Sequence, residues 1–489
     1  MGPAARSSLP RPTGVLGHEL FKSISTGSGS PTFWTGEFLL IVCCAVDAAD
    51  RALLPAVYGA LQQDLHATPS RLGALWLLQS AAFALAMPIW GVLLVRFSQQ
   101  QLLALGCFVW GVATGCLALS SQYWVHCILR AVNGVGLSAV LPISQAMLAD
   151  LVPEHERGQA FGRLQACISL TGMFAACYAL SQQHLRFVIF GVEVHGWRLV
   201  HGQVAIASLG LAVLIQTRLR MPAAHSSEKV APTLPPSWGD SVHSLLEVAR
   251  RFVRVPSFIL LVLQGVVGAV PWQASQFASL YYSSCGYTDK QLGVLAACQG
   301  LGGASGTMLG GFLGDRAAQQ APHRGRALVA LSSVVLGIVP FLTIFLVIPH
   351  DPSYVFVTAG VVFGFSLLAS WSPAAAIRPI CTELVSSSSE RAQLMALQVM
   401  LESTTSSALG GPLVGKISEQ FGYRLDKAGA AVSNESASAM ASAIAGIAIV
   451  CWVLCAMMWA IMLVTLPVDR LRLRKSLSQQ ESSSATTYS

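Results

Sequence analysis

The sequence predicts an all-α membrane protein with twelve transmembrane helices in two homologous six-helix bundles. Three observations predict it. Hydrophobic residues make up 53% of the 489 positions and charged residues only 11%, too little charge to cover a soluble globule of this size. Twelve apolar stretches are each long enough to cross a hydrocarbon core of about 30 Å. Finally, the chain repeats itself: "RLGALWLLQS" at 71–80 and "QLGVLAACQG" at 291–300 share Leu, Gly, Leu and Gln at matching places. The same offset pairs Phe38 with Phe258 and Arg96 with Arg316. It drifts to 233 or 234 where "DLVPEHERGQAFGRLQA" (150–166) is echoed by "ELVSSSSERAQLMALQV" (383–399). A repeat of this length is a duplicated half-protein and not a solenoid unit.

The spans follow in order. The first 32 residues lack a continuous apolar core and read as a cytosolic tail rather than a cleaved signal. Spans 1 to 6 are placed at 36–58, 72–94, 101–119, 123–148, 160–180 and 198–216, forming an N-terminal bundle over 33–217. A central cytosolic loop, 218–255, begins with the Pro- and Ser-rich "SSEKVAPTLPPSWGD". It ends with Leu245, Val248 and Phe252 at helical spacing opposite Arg250, Arg251 and Arg254, the pattern of an amphipathic interfacial helix. Spans 7 to 12 are placed at 257–281, 290–314, 326–348, 353–376, 392–415 and 441–466, forming a C-terminal bundle over 256–468, with a cytosolic tail at 469–489.

Basic residues set the expected orientation. With the N-terminus cytosolic, 21 of the 30 Lys and Arg fall in cytosolic segments and seven on the opposite side, while Arg51 and Arg130 lie inside spans. That bias favours both termini in the cytosol. It also accounts for the net charge of +7 without nucleic acid as a partner. Asn434-Glu435-Ser436 is an N-glycosylation pattern expected in the noncytosolic loop between spans 11 and 12. The twelve cysteines sit mostly within spans and show no metal-ligand spacing, so neither a disulfide framework nor a metal or other cofactor is expected. No nucleophile or metal grouping points to an enzyme, and the chain reads as a monomer in the lipid bilayer.

Charges inside spans are costly, at least ~2.5 kcal/mol each on insertion scales, so each needs a purpose. Asp47 and Arg51 are spaced i, i+4 on one face of span 1, with Asp50 close to that side. At 1.5 Å per residue this cluster lies about 17 to 23 Å from the cytosolic end, and Arg130 in span 4 lies about 10 Å from the other end. The two can therefore meet near the middle of the bilayer, with Asn133 one turn beyond Arg130 as a polar partner. Such a cluster can bind a substrate anion or couple a proton to helix position; the alternative is an ion-pair network that only joins spans 1 and 4. In the second half, Glu402 of span 11 is a lone acid that is either protonated, hydrogen-bonded within its bundle or facing Arg51 or Arg130. Gln79 and Gln299 occupy equivalent places in spans 2 and 8, and with Trp272, Gln273 and Gln276 of span 7 they are candidates to line a cavity. Asp150 with Glu156 and Arg157, and Glu383 with Glu390 and Arg391, repeat at related cytosolic ends, where opposite charges can clamp one state and release another. Gly410, Gly411, Pro412 and Gly415 of span 11 permit close packing or a kink.

Two six-helix halves, a long central loop and several motifs resemble the major facilitator superfamily. "RAVNGVG" (130–136) resembles its fourth-helix R-x-x-x-G-x-G pattern, and "GGFLGDR" (310–316), with Asp315 and Arg316, its loop between helices 8 and 9. The sister loop keeps Arg96 but has Val95 in the aspartate position. "LLPAVY" (53–58), "RAVNGVGL", "GWR" (196–198), "VLQGVVGAVPW" (262–272) and "GGFLGDRAA" are similar to spinster-like carriers, and more specifically to a plant and algal branch of them. Those carriers typically have a D-R pair in helix 1, here Asp50-Arg51, and a carboxylate after the helix 4 glycines, here Leu137. The resemblance implies a secondary active transporter of a small organic or amphipathic, lipid-like solute, working by alternating access as a proton symporter. It leaves open an organic-anion carrier or uniporter, and a sensor that keeps the carrier fold without transport.

Overall fold

A computed structural model describes residues 31–93, 97–152, 157–189, 191–219, 250, 255–383, 388–424 and 433–487. A helix stands on every predicted span. Span 1 is Pro31–Ala56, continued after a turn at Val57 by Tyr58–Leu65; spans 2 to 6 are Pro69–Leu93, Gln99–Leu119, Tyr123–Leu151, Arg157–Gln182 and Gly196–Arg218. Span 7 runs through Pro256–Ala274, a 3-10 turn and Ala278–Ser284; span 8 is Asp289–Gln320, and span 9 is Gly325–Leu342 ending in a π turn. Span 10 is broken into Val355–Ala369, a π turn Pro373–Ile377 and Arg378–Glu383; spans 11 and 12 are Ser388–Gln420 and Ser433–Thr487. Among the described residues, ten helical segments are long and apolar enough to cross a membrane. Spans 1 and 11 are outside that set; the first carries Asp47, Asp50 and Arg51, and the second combines Glu402 with several Gln, Ser and Thr. Large apolar side chains such as Leu85, Phe108, Ile206, Met308, Val339 and Val464 are exposed on the helices, as lipid-facing positions must be.

Local structure departs from the sequence reading in two places. Between spans 5 and 6, Arg186–Ile189 and Val192–His195 pair as an antiparallel hairpin, β1 and β2, around Gly191 at φ +81°. Only four residues alternate in each strand, too few to stand out beside the apolar spans. The Asn434-Glu435-Ser436 triplet does not lie in a loop: it opens the helix of span 12, with Ser436 buried and bonded to the backbone of Arg424. The central-loop helix expected around Leu245 to Phe252 lies outside the described residues, apart from Arg250.

The two bundles close on each other at the end away from the chain termini. Gly73 of span 2 backs onto span 11, where an added Cβ would come within 2.6 Å of the Gly411 carbonyl carbon, and Gly415 sits equally tightly against Ser70. Such pairs of glycines bring two backbones together as no larger residue can. Glu419 Oε1 accepts the Ser70 backbone N–H at 2.9 Å, Gln62 Nε2 donates to Tyr423 Oη at 3.0 Å, and Gln183 Nε2 donates to Asp289 Oδ1 at 3.0 Å. Burial pushes the Tyr423 phenol up from its usual range, so it remains a neutral partner. A continuous apolar core joins both bundles here, with Tyr58 and Phe277 rings 5.2 Å apart, whereas a second core around Cys43, Trp110 and Met147 belongs to spans 1 to 6 alone.

Candidate functional site

Below the closed end, a cavity of about 450 Å³ opens between the bundles. Span 1 contributes Ala48, Arg51 and Pro55, span 2 Trp76; across from them stand Gln276, Tyr282, Gln299 and Phe365. The volume suits a small organic molecule, and among the described lining residues Arg51 alone is charged. Arg51 is tethered rather than loose: Asp47 Oδ2 lies 3.0 Å from its Nη2, and its guanidinium carbon sits 4.5 Å above the Phe83 ring. Helix spacing explains the first contact, since i and i+4 share a face. The same guanidinium also borders a smaller pocket of about 260 Å³ with Gln79, Leu137, Ser403 and Ser407.

Asp50 points the other way, into the N-terminal bundle, and is buried. Thr114 Oγ1 donates to its Oδ1 at 2.9 Å and Asn133 Nδ2 donates to its Oδ2 at 3.0 Å; Asn133 in turn accepts from Gln79 Nε2 at 2.7 Å. Four spans thus converge on one carboxylate through neutral groups. Glycines make that convergence possible: Gly134 lies directly against the span 2 backbone at Gln79, and a Cβ on Gly136 would come within 2.6 Å of the Trp110 nitrogen. The glycines of "RAVNGVG" therefore let span 4 sit between spans 2 and 3.

Arg130 does not complete an ion pair with span 1. Its Nη2 lies 3.1 Å from His201 Nε2, while His201 Nδ1 lies 2.8 Å from the Trp197 carbonyl. The carbonyl requires the proton on Nδ1, which leaves Nε2 as acceptor for the arginine. Arg130 is 1% exposed, and its Nε and Nη1 have no protein partner among the described residues. The predicted cluster is thus two sites: an Asp47–Arg51 pair beside the cavity, and a buried Asp50 network whose span 4 member is Asn133, one turn from Arg130. Nearby, the "GWR" stretch ties span 6 to its neighbours, with Trp197 Nε1 donating to Asp64 at 2.7 Å and Arg198 Nη1 to the Ser120 carbonyl at 2.7 Å.

Glu402 faces neither Arg51 nor Arg130. It lies inside the C-terminal bundle, accepts from Gln398 one turn away, and lines a separate pocket with Gln264 and Trp272. Gln273 is also committed, accepting from Trp76 Nε1 at 2.7 Å across the two bundles. Asp315 pairs with Arg326 at 2.9 Å, not with its neighbour Arg316, which is exposed. Arg96 and Glu156 lie outside the described residues, as do the side chains of Asp150, Arg157, Glu383, Glu390 and Arg391. Sequence reasoning missed Thr114, His201 and Phe83. Thr114 and His201 are lone polar residues in apolar spans, a signal too common to single out; Phe83 gives none.

A family model described as Major Facilitator Superfamily matches residues 39–401, well over half of the chain. The niacin transporter NiaP of Acinetobacter baylyi is 21% identical over 220 residues, 45% of this chain and 46% of that protein. The quinolone resistance protein NorA of Staphylococcus aureus is 28% identical over 111 residues, 22% of this chain and 28% of that protein. The chain thus spans less than half the length of either curated relative. Among solved structures, a bacterial homologue of the human lysosomal transporter Spinster, inward-facing and unoccupied, superposes with a TM-score of 0.72 at 18% identity, covering 91% of this chain and 99% of that one. A D-xylose-proton symporter gives 0.60 at 14% identity, covering 86% and 97%. At these identities the likeness concerns the fold.

Proposed function

Because the chain belongs to the Major Facilitator Superfamily, we propose that it is a secondary active transporter carrying a small organic or amphipathic, lipid-like solute by alternating access, coupled to protons. The observation that carries this reading is the cavity of about 450 Å³ between the bundles, closed at one end and entered by Arg51, which pairs with the buried Asp47. A solute group that draws Arg51 off the Phe83 ring of span 2 removes a contact between spans 1 and 2, so occupancy and helix position are linked. Asp50 is the proton-coupling group in this reading: protonation would weaken its hold on Thr114 and Asn133 and loosen span 1 against spans 3 and 4. The bias of Lys and Arg supports both termini in the cytosol, which makes the closed end noncytosolic. The charged repeats at Asp150, Glu156, Arg157, Glu383, Glu390 and Arg391, with Arg96, Asp315 and Arg316, then clamp the opposite state, in which the cytosolic end is shut. A single chain suffices, since the cavity is complete within it.

A second reading, an organic-anion carrier or uniporter, is favoured by Arg51 as the charged group at the cavity. The test is internal pH in sealed vesicles carrying the purified protein, challenged in turn with lysolipids, organic anions, sugars and amino acids, with protein-free vesicles beside them. A solute-dependent proton flux is expected. Solute uptake with no proton movement would replace the coupled reading with uniport, and binding without uptake would favour a sensor.

A further inference from the structure

The C-terminal bundle encloses a second pocket, of about 330 Å³, formed by spans 7 to 12 alone. Glu402 is its acid; Gln264, Thr307 and Ser370 add polar groups, and Trp272 and Trp452 form an aromatic wall. No Lys, Arg or His lines it among the described residues, and Glu402 has no ion-pair partner there. The wall beside Glu402 is also irregular. Span 10 is interrupted at Ser370 and Trp371 and resumes as a π turn at Pro373–Ile377. Within this break the Trp371 backbone N–H turns to Ser333 Oγ at 3.3 Å and its indole to the Leu367 carbonyl at 2.6 Å. Broken spans of this kind are tolerated inside membranes where they border a cavity. Ring contacts stand between this pocket and the cavity between the bundles: Trp272 lies 5.2 Å from Phe365 in a tilted pair, and Phe341 lies 4.8 Å from Trp452 edge to face, Phe365 and Phe341 both lining the other cavity.

An acid without a cation, facing aromatic rings in a chamber too large for a bare metal ion, is complementary to a bulky positive group. We propose that this pocket is a binding site for an organic ammonium ion, held by Glu402 and packed against Trp272 and Trp452. It is distinct from the cavity that Arg51 enters, and the two halves therefore present opposite charges to their ligands.

The test is titration calorimetry of the purified full chain with tetramethylammonium chloride, with sodium chloride and tert-butanol as the inorganic and neutral probes. Saturable tetramethylammonium binding is expected, weakened at least about tenfold by Glu402→Gln, several-fold by Trp452→Leu, and unchanged by Arg51→Gln. Glu402→Gln keeps a side chain that can still bond Gln398, and its melting temperature checks folding; Trp452→Leu gives an independent second variant. Absence of saturable binding, binding indifferent to both variants, binding lost in Arg51→Gln, or saturation by sodium instead would each overturn the proposal. Binding is read without transport, so its failure leaves the carrier reading untouched, and failure of the carrier reading leaves the site untouched.

Discussion

The two bundles descend from one duplicated unit yet handle polarity in opposite ways. In the N-terminal bundle the buried charge is distributed over many partners: Asp50 is held by Thr114 and Asn133, Asn133 by Gln79, Arg130 by His201, and Asp47 by Arg51. In the C-terminal bundle, Glu402 accepts from Gln398, and the pocket around it is lined by aromatic rings and a broken helix. A satisfied network fixes helix positions because each member orients the next. A lone acid beside an interrupted span orients fewer neighbours. In the proposed carrier, the first half is the one whose side chains sense charge.

The most damaging change to this comparison is loss of Arg51. Arg51→Gln is expected to reduce solute-dependent flux about 10- to 100-fold, the size of a charged hydrogen bond of about 1.5–3 kcal/mol, and to lower the melting temperature because the buried Asp47 loses its partner; vesicle flux and a melting curve in detergent check both. Asp50 separates coupling from packing. Asp50→Asn is expected to keep folding and insertion while abolishing pH-driven uptake, whereas Asp50→Ala also leaves the Asn133 and Thr114 donors unpaired and costs about 1–3 kcal/mol. Unchanged accumulation in Asp50→Asn would sink coupling through span 1. At the closed end, Gly73→Leu drives a side chain into the span 11 backbone at Gly411. It is expected to hold the bundles apart and increase solvent labelling of residues lining the cavity from that side. The smallest effect belongs to Tyr423→Phe, which removes one bond between bundles and is expected to weaken the closed end by about 0.5–1.5 kcal/mol, seen as a modest rise in the same labelling.

Much of the fold was legible because its signals are long. Spans of about 20 apolar residues and a repeat carried by whole segments survive errors at any one position, whereas the β1–β2 hairpin, the helical start of span 12 and the breaks within spans 1, 7 and 10 were hidden. The site was legible in kind and not in wiring. Asp47 and Arg51 meet because their spacing on one helix decides it, and Asn133 reaches Asp50 because depth along two helices brings them level. Arg130 has the same depth and shares a face of span 4 with Asn133, one turn away, yet its guanidinium turns to His201 of span 6, and which way a long side chain turns cannot be read from depth. Glu402 shows the same limit: its height in the membrane was evident, but whether it faced the other bundle or its own depended on how span 11 turned.

The most direct test of the alternating-access account is the distance between spin labels placed bioorthogonally at Gln63 and Lys290, exposed positions on opposite bundles at the closed end, measured in lipid nanodiscs at two pH values with and without a solute that drives flux. A single short distance is expected at rest, joined by a distinctly longer one when proton and solute conditions favour the opposite state. One unchanging short distance under conditions of proven flux would contradict the account.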